Sequence, residues 1–221
     1  VPIEIIHCAA NFERFSAVSD ISDLKKKYIG KKVLITVGAL KPRKGHNVVL
    51  EALSILKKER NDFHYVIIGN NEERGEYMDN LHRIINENNL KDNVTFAGSV
   101  SDADITKYFQ LCDVYIHTPV MKNWNFEGFG IVYLEAGAAR KPVIASNSGG
   151  TLDAVVPDKT GIVVAEGDVQ STYEAIKKIF NNPEYAQSLG NAGYEYAKEH
   201  TWEKIGDKFM KLYKDCIKKE I

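Results

Sequence analysis

Chemistry in this chain concentrates on two carboxylates and one cationic loop. In the run Glu127-Gly128-Phe129-Gly130-Ile131-Val132-Tyr133-Leu134-Glu135-Ala136-Gly137-Ala138-Ala139, Glu135 is the only charged residue from Gly128 onward. Small and apolar residues surround it at every helical offset, so this helix should be buried and its carboxylate desolvated, which is costly without hydrogen-bond donors. A ribose diol would satisfy Glu135 by donating to both oxygens at once; an intramolecular Lys or Arg would satisfy it too. Glu127 stands just ahead of the helix, beside glycines that let backbone amides approach a ligand closely. It can also act as a simple acid at a positive helix end.

The loop is Val37-Gly38-Ala39-Leu40-Lys41-Pro42-Arg43-Lys44-Gly45, where a strand ends in a glycine turn and a helix follows. A helix start offers unpaired amide donors and a positive dipole end, and Arg43 and Lys44 add full charges, so phosphate is the natural guest, although these residues alone read as readily as a solvated basic loop. A third turn, Ser146-Asn147-Ser148-Gly149-Gly150-Thr151, again joins a strand to a helix. It reads equally as a plain tight turn. Asp102 and Asp104 form a D-x-D, but Ser101 at the end of a strand connection, three residues before Asp104, reads better as a helix cap followed by an acidic first turn. His117, at the end of an apolar strand, can look into a cleft but reads first as a packed core residue.

To position these groups, the chain offers 221 residues that are 44% hydrophobic and 27% charged, which fits a folded domain rather than a disordered chain. Its 29 basic and 30 acidic residues give no excess positive charge for nucleic acid. The longest stretch without Asp, Glu, Lys or Arg, Pro142 to Leu152, is far shorter than the roughly twenty residues of a membrane span. The three cysteines, Cys8, Cys112 and Cys216, form neither a disulfide framework nor a zinc knuckle, so a reducing compartment, the cytoplasm, is expected. The histidines lack metal-ligand spacing, and neither G-x-G-x-x-G nor a Walker loop occurs.

Short β-rich runs alternate with helical stretches, as in a parallel sheet covered on both faces. The spacing predicts strands at Ile3–Ile6, Val33–Val37, His64–Ile68, Val94–Ala97, Val114–His117, Val143–Ala145 and Ile162–Val164. Helices are expected at Asn47–Lys58 and Tyr77–Asn88. Three more follow Val169, with a break at Pro183. One domain over residues 1–221 is expected, with an α/β core to about residue 165 and a helical C-terminal annex over 166–221.

These motifs, in this order, resemble the C-terminal, donor-binding domain of the retaining glycosyltransferases of family 4 (glycosyl transferases group 1), which have the GT-B fold. VGALKPRKG is similar to the family's V-G-R-L-x-x-x-K-G, and Glu127 and Glu135 have its E-x7-E spacing within EGFGIVYLEA. GGTLDAVVPDKTGIVV is similar to G-G-x-P-E-x-V-x-x-G-x-T-G-x-L-V, HTWEKIGDKFMKLY to the closing S-W-x-x-x-A helix, and IIHCAANFERF to the opening I-P-N-G-V-D-x-x-x-F. The resemblance implies a Rossmann-like parallel sheet and an NDP-sugar (UDP- or GDP-sugar) as co-substrate, with no other cofactor and no metal. It gives Lys44 to the donor diphosphate, Glu135 to the ribose, the backbone near Val100 to the base, and Glu127 with the amides of Phe129 and Gly130 to the sugar and phosphates. Glu127 and Lys44 are the expected catalytic pair; Gly38, Arg43, Gly128, Ile131, Gly149 and Gly150 complete the expected donor contacts.

The resemblance also implies an N-terminal acceptor domain, absent from these residues, which would carry any membrane contact; without it, no transfer is expected. The apolar stripe Ile205, Phe209, Leu212, Cys216 and Ile217 would cross back to that domain. Three features depart from the family pattern. Ala39 replaces the Arg of G-R-L, Leu152-Asp153 replaces Pro-Glu, and Gly69-Asn70-Asn71 lacks a second glycine. A nucleotide-sugar epimerase and a non-catalytic sugar-nucleotide-binding subunit of the same fold are the alternatives. PRKG with GFGIVYLEA is similar to bacterial mannosyltransferases of the family and tilts the donor toward GDP-mannose.

Overall fold

The computed structural model describes residues 3–70 and 75–218. Six strands, β1 (Lys32–Val37), β2 (Phe63–Ile68), β3 (Val94–Gly98), β4 (Val114–His117), β5 (Val143–Ser146) and β6 (Gly161–Val164), form one sheet in the order β3-β2-β1-β4-β5-β6. Every neighbouring pair is parallel. The strands are near-continuous apolar runs because both faces are covered; Leu34, Ile35, Val66, Ile67 and Tyr115 are all fully buried.

The helices are α1 (Phe12–Ser16), α2 (Ser22–Lys27), α3 (His46–Lys57), α4 (Glu76–Glu87), α5 (Asp102–Leu111), α6 (Ile131–Ala138), α7 (Thr151–Ala154), α8 (Val169–Asn181), α9 (Pro183–Lys198) and α10 (Trp202–Lys218). On one face of the sheet Leu50, Leu53, Leu81 and Ile176, from α3, α4 and α8, pack on Leu34, Phe63 and Ile67. On the other, Phe15, Phe109, Tyr133 and Ala197, from α1, α5, α6 and α9, pack on Ile35, Val66 and Tyr115. The break before α9 forms as the sequence predicts: Pro183 takes the first helical turn, where its missing N–H costs nothing, and the Asn182 side chain accepts the Tyr185 N–H at 3.0 Å.

One expected strand does not form. Ile3–Ile6 pairs with no strand, and Ile3 and Ile5 are 89% and 76% exposed. An alternating apolar run becomes a strand only where a neighbouring strand and a face to bury are available, and this one has neither. The opening segment is tied down later, where the Ala10 N–H donates to the His200 carbonyl at 2.9 Å. Along α10, Ile205 is buried but Phe209 and Ile217 are 42% and 61% exposed. Asn71 of the Gly69-Asn70-Asn71 turn lies outside the described residues.

The strand order places the site. The chain steps outward from β1 to β2 to β3, then returns to the middle and steps the other way through β4, β5 and β6. The connections leaving β1 and β4 therefore diverge, opening a crevice at their carboxyl ends, which is where open α/β sheets bind ligands.

Candidate functional site

Both segments bordering that crevice carry functional candidates. After β1 the chain passes Gly38 and enters a 3₁₀ turn, Pro42–Lys44, which ends at Gly45. Gly45 has φ +70°, and a Cβ there would lie 1.7 Å from the Thr118 carbonyl oxygen, so only glycine lets this loop meet the segment after β4. The Val120 N–H donates to the Arg43 carbonyl at 2.9 Å and the Thr118 hydroxyl to the Gly45 carbonyl at 3.2 Å, locking the two segments together.

Across this seam lies a cluster built on one oxygen. Glu127 Oε2 accepts from Lys44 Nζ at 2.6 Å, His117 Nε2 at 3.3 Å and Arg43 Nη1 at 3.4 Å. Lys44, Glu127 and His117 keep only 13%, 12% and 0% of their side-chain surface exposed, so these contacts form in a poorly solvated place. Burial pushes the Glu127 carboxyl up, but the hydrogen bonds from His117 and Lys44 and the Lys44 charge outweigh it and hold the group at about 2. Burial pulls His117 below the usual histidine range despite Glu127, so the imidazole is neutral and donates as the Nε2–H tautomer. Among the described residues its Nδ1 has no partner, and neighbouring His46 is held down to about 3, chiefly by burial. No hydrogen bond reaches Glu127 Oε1 among the described residues, so that lone-pair edge is available to a ligand hydroxyl.

Glu127 is braced from behind by the third expected turn. The Gly150 N–H donates to the Glu127 carbonyl at 2.9 Å, and a Cβ on Gly149 would lie 2.1 Å from that same oxygen. The first task of Gly149-Gly150 is thus close backbone approach. Gly128, Phe129 and Gly130 then lead into α6, with Gly130 in the left-handed region at φ +83° and no side-chain cap on the helix start. The first amides of α6 are open in consequence. Phe129 itself is buried, stacked on His7 with ring centroids 5.4 Å apart, so it contributes its backbone here; Ile131 is 37% exposed.

Glu135 behaves in the opposite way. Burial raises its carboxyl to about 7, with Arg14 lowering it and Asp102 raising it by smaller amounts. It makes no hydrogen bond or ion pair among the described residues, because the nearby Arg14 guanidinium is spent on Asp102 at 3.3 Å. The intramolecular Lys or Arg partner that the sequence left open is therefore not there. The Ser101 cap is there: its hydroxyl oxygen accepts the Asp104 N–H at 3.1 Å, and Asp104 pairs with Lys107 at 2.9 Å. Val100, Asp104, Lys107 and Tyr108 line a pocket of about 290 Å³ with Asp20 and Leu24 of the α2 region.

Sequence reasoning gave Lys44, Arg43 and Glu127 as separate candidates, and the structure unites them on one carboxylate oxygen. It underweighted His117, whose signal was its place at the end of the strand bordering the crevice. Arg14 was not singled out at all, since nothing local distinguishes it from other helix-end cations.

Comparison with known proteins places the chain in a family and a fold. Residues 20–196 match the model for glycosyl transferases group 1, and the chain belongs to that family. A GDP-mannose-dependent alpha-(1-6)-phosphatidylinositol monomannoside mannosyltransferase of Mycobacterium tuberculosis is 31% identical over 192 residues, covering 85% of this chain and 49% of that one. The human alpha-1,3/1,6-mannosyltransferase ALG2 is 30% identical over 208 residues, covering 89% and 48%. The chain spans about half the length of the curated relatives it matches. Among solved structures, Anabaena Alr3699/HepE in complex with UDP and glucose superposes with a TM-score of 0.85 at 22% identity, over 96% of this chain and 56% of that one. The C-terminal domain of a glycosyl transferase group 1 protein (LpcC) from Francisella tularensis superposes with a TM-score of 0.76 at 21% identity, over 86% and 97%. The Rossmann-like sheet is thus the fold of a GT-B half.

Proposed function

We propose that this chain is the sugar-nucleotide donor-binding half of a retaining, metal-independent hexosyltransferase, working with an acceptor-binding domain supplied outside these residues. The observation that carries the reading is the pair of unlike carboxylates on one segment: Glu127 ionised under three donors with one edge open, and Glu135 desolvated with no partner. Adjacent ribose hydroxyls would supply the two hydrogen bonds Glu135 lacks. The base is assigned to the backbone near Val100, which lines a pocket with Asp104 and Tyr108.

In retaining transfer the nucleoside diphosphate leaves the anomeric carbon and the acceptor hydroxyl enters on the same face, so negative charge builds on the β-phosphate. Lys44, Arg43 and the open amides from Gly128 to Ile131 are already in position for that charge, which is stabilisation by preorganised donors. Gly38 lies against the Lys44 stem, where a Cβ would make an ordinary contact of 3.7 Å with Lys44 Cε, so what glycine supplies there is its backbone at φ +157°. Glu127 Oε1 accepts a donor-sugar hydroxyl and orients the sugar, while neutral His117 fixes the carboxylate. Arg43 takes the part of the cation missing at Ala39. GDP-mannose is the preferred donor, in line with the GDP-mannose dependence of the mycobacterial relative.

A thermal-shift panel of nucleoside diphosphates and their sugars tests the reading. GDP and GDP-mannose raise the melting temperature, and the chain alone transfers no sugar from a labelled donor. An unchanged melting temperature across the whole panel refutes donor binding. Ala39 favours one second reading, a non-catalytic sugar-nucleotide-binding subunit; product analysis with the acceptor domain present separates the two.

A further inference from the structure

Beside the Glu127 cluster, and sharing Arg43 with it, lies a pocket of about 340 Å³ lined by Lys41, Pro42, Arg43, Lys122, Asn123 and Asn125. Three of these six residues are cations and none is an acid, in a chain whose net charge is -1. Among the described residues, neither Lys41 nor Lys122 reaches a carboxylate within ion-pair distance. A two-residue hairpin holds Lys122 opposite the loop that carries Lys41 and Arg43. Lys122 and Asn125 exchange backbone hydrogen bonds of 3.0 and 2.9 Å, with Asn123 at φ +51° and Trp124 at φ +63° between them. Such a turn ordinarily calls for glycine at its second position, and a bulky aromatic rarely adopts that conformation. Trp124 does, and stands 90% exposed beside the pocket, with Met121 and Phe126 also exposed on the same segment. The Val120–Arg43 hydrogen bond fixes the hairpin against the loop that carries Lys41 and Arg43.

We propose that this pocket binds a phosphate ester group carried by the acceptor. The inference rests on the donor reading above and extends it. Arg43, assigned above to the donor β-phosphate, also lines this pocket, so an anion held there sits next to the transfer centre and shares that guanidinium with the donor diphosphate on Lys44. Three cations lining one pocket match a phosphate dianion better than a single carboxylate, because a phosphate presents three acceptor oxygens to several donors at once. The ester has two possible sources, a water-soluble phosphate or a phospholipid headgroup, and the exposed Trp124 reports on both.

The chain contains two tryptophans, so Trp202→Phe leaves Trp124 as the sole indole emitter. In that background, emission is titrated with glycerol 3-phosphate, with glycerol, and with phosphatidylcholine vesicles with and without phosphatidic acid. The expected result is a saturable change with glycerol 3-phosphate or with the phosphatidic acid vesicles, and none with glycerol or neutral vesicles. A response to the soluble ester identifies a soluble phosphate as sufficient; a response confined to the anionic vesicles identifies the headgroup. Lys41→Ala with Lys122→Ala should weaken the response about tenfold or more, as expected for loss of charge-assisted hydrogen bonds, and leave GDP affinity within about twofold. Absence of any saturable response, or an equal response in the double variant, overturns the proposal. So does a parallel loss of GDP affinity, which would merge the pocket with the donor site. A chain that binds the ester but no nucleoside diphosphate overturns the donor reading, and the acceptor assignment falls with it.

Discussion

Glu127 and Glu135 lie eight positions apart on one segment, yet their surroundings drive them in opposite directions: one carboxyl is held at about 2, the other raised to about 7. Both are substantially buried. The difference lies in the donors. Glu127 precedes α6, where loops from three strands converge and bring Lys44, Arg43 and His117 to one oxygen. Glu135 lies inside α6, whose neighbours in sequence are small and apolar, and the nearest cation is committed to Asp102. Burial alone therefore does not decide a carboxylate's state; the count of donors within reach does. On the proposed function, Glu127 organises charge before a donor arrives, whereas Glu135 is completed by it.

The sharpest way to break this contrast is Lys44→Ala. It removes the shortest donor to Glu127 and leaves a buried carboxylate under-compensated, at a cost of about 3 kcal/mol in stability, measurable by urea unfolding. Nucleoside diphosphate binding should weaken by about 1.5 to 3 kcal/mol in calorimetry, the worth of a charge-assisted hydrogen bond. An unchanged affinity would remove Lys44 from the site.

Glu135→Gln tests the other side. Because folding raises this carboxyl, the folded chain binds its proton more tightly than the unfolded one, and stability from this group falls as pH rises from about 4.5 to about 7. At pH 8 the Gln variant should therefore be more stable than the parent by ~2 kcal/mol, with the gap closing at pH 4.5. A gap that does not change with pH would mean that Glu135 does not titrate as described. Glu127 carries the reverse dependence: its contribution is present above about pH 4.5 and is lost as pH falls toward about 2.

Ligand binding should sharpen the same comparison. Ribose hydroxyls donating to Glu135 favour its ionised form, so GDP binding releases a proton near neutrality and tightens by about tenfold from pH 6 to pH 8. Calorimetry in buffers of different ionisation enthalpy reads that proton directly. Glu135→Gln should abolish the part of the pH dependence that the diphosphate itself does not supply. The smallest effect is expected at Ser101→Ala, which removes the cap of α5 for about 1 kcal/mol and leaves the GDP affinity unchanged. A large loss of affinity there would give the D-x-D segment a ligand role after all.

Much of this was readable from residue types. The strands stood out because a doubly covered sheet requires continuous apolar runs, and Glu135 stood out because a lone charge in such a helix demands an explanation. Ile3–Ile6 misled because the same alternating pattern forms a strand only with a neighbour to pair with, which no local window contains. The convergence of Lys44, Arg43 and His117 on one oxygen was hidden for a related reason. It depends on β1 and β4 being adjacent in the sheet, a fact of strand order between residues some eighty positions apart. Gly149-Gly150 was legible as a turn but not as the brace behind Glu127, because the atom it makes room for belongs to another loop.

The seam between Gly45 and Thr118 has a consequence for how such a site diversifies. With main chain pressed on main chain there, and Val120 bonded to Arg43, neither segment tolerates an inserted residue without pulling Lys44 off Glu127. Beyond Val120 the Met121 N–H still donates to Glu166 Oε1 at 2.6 Å, and the chain then runs out to the Lys122–Asn125 tip and back before it must return to Glu127. That tip can change in length and composition without moving the seam, so on the donor reading it is a place where acceptor preference could change while Lys44 stays on Glu127.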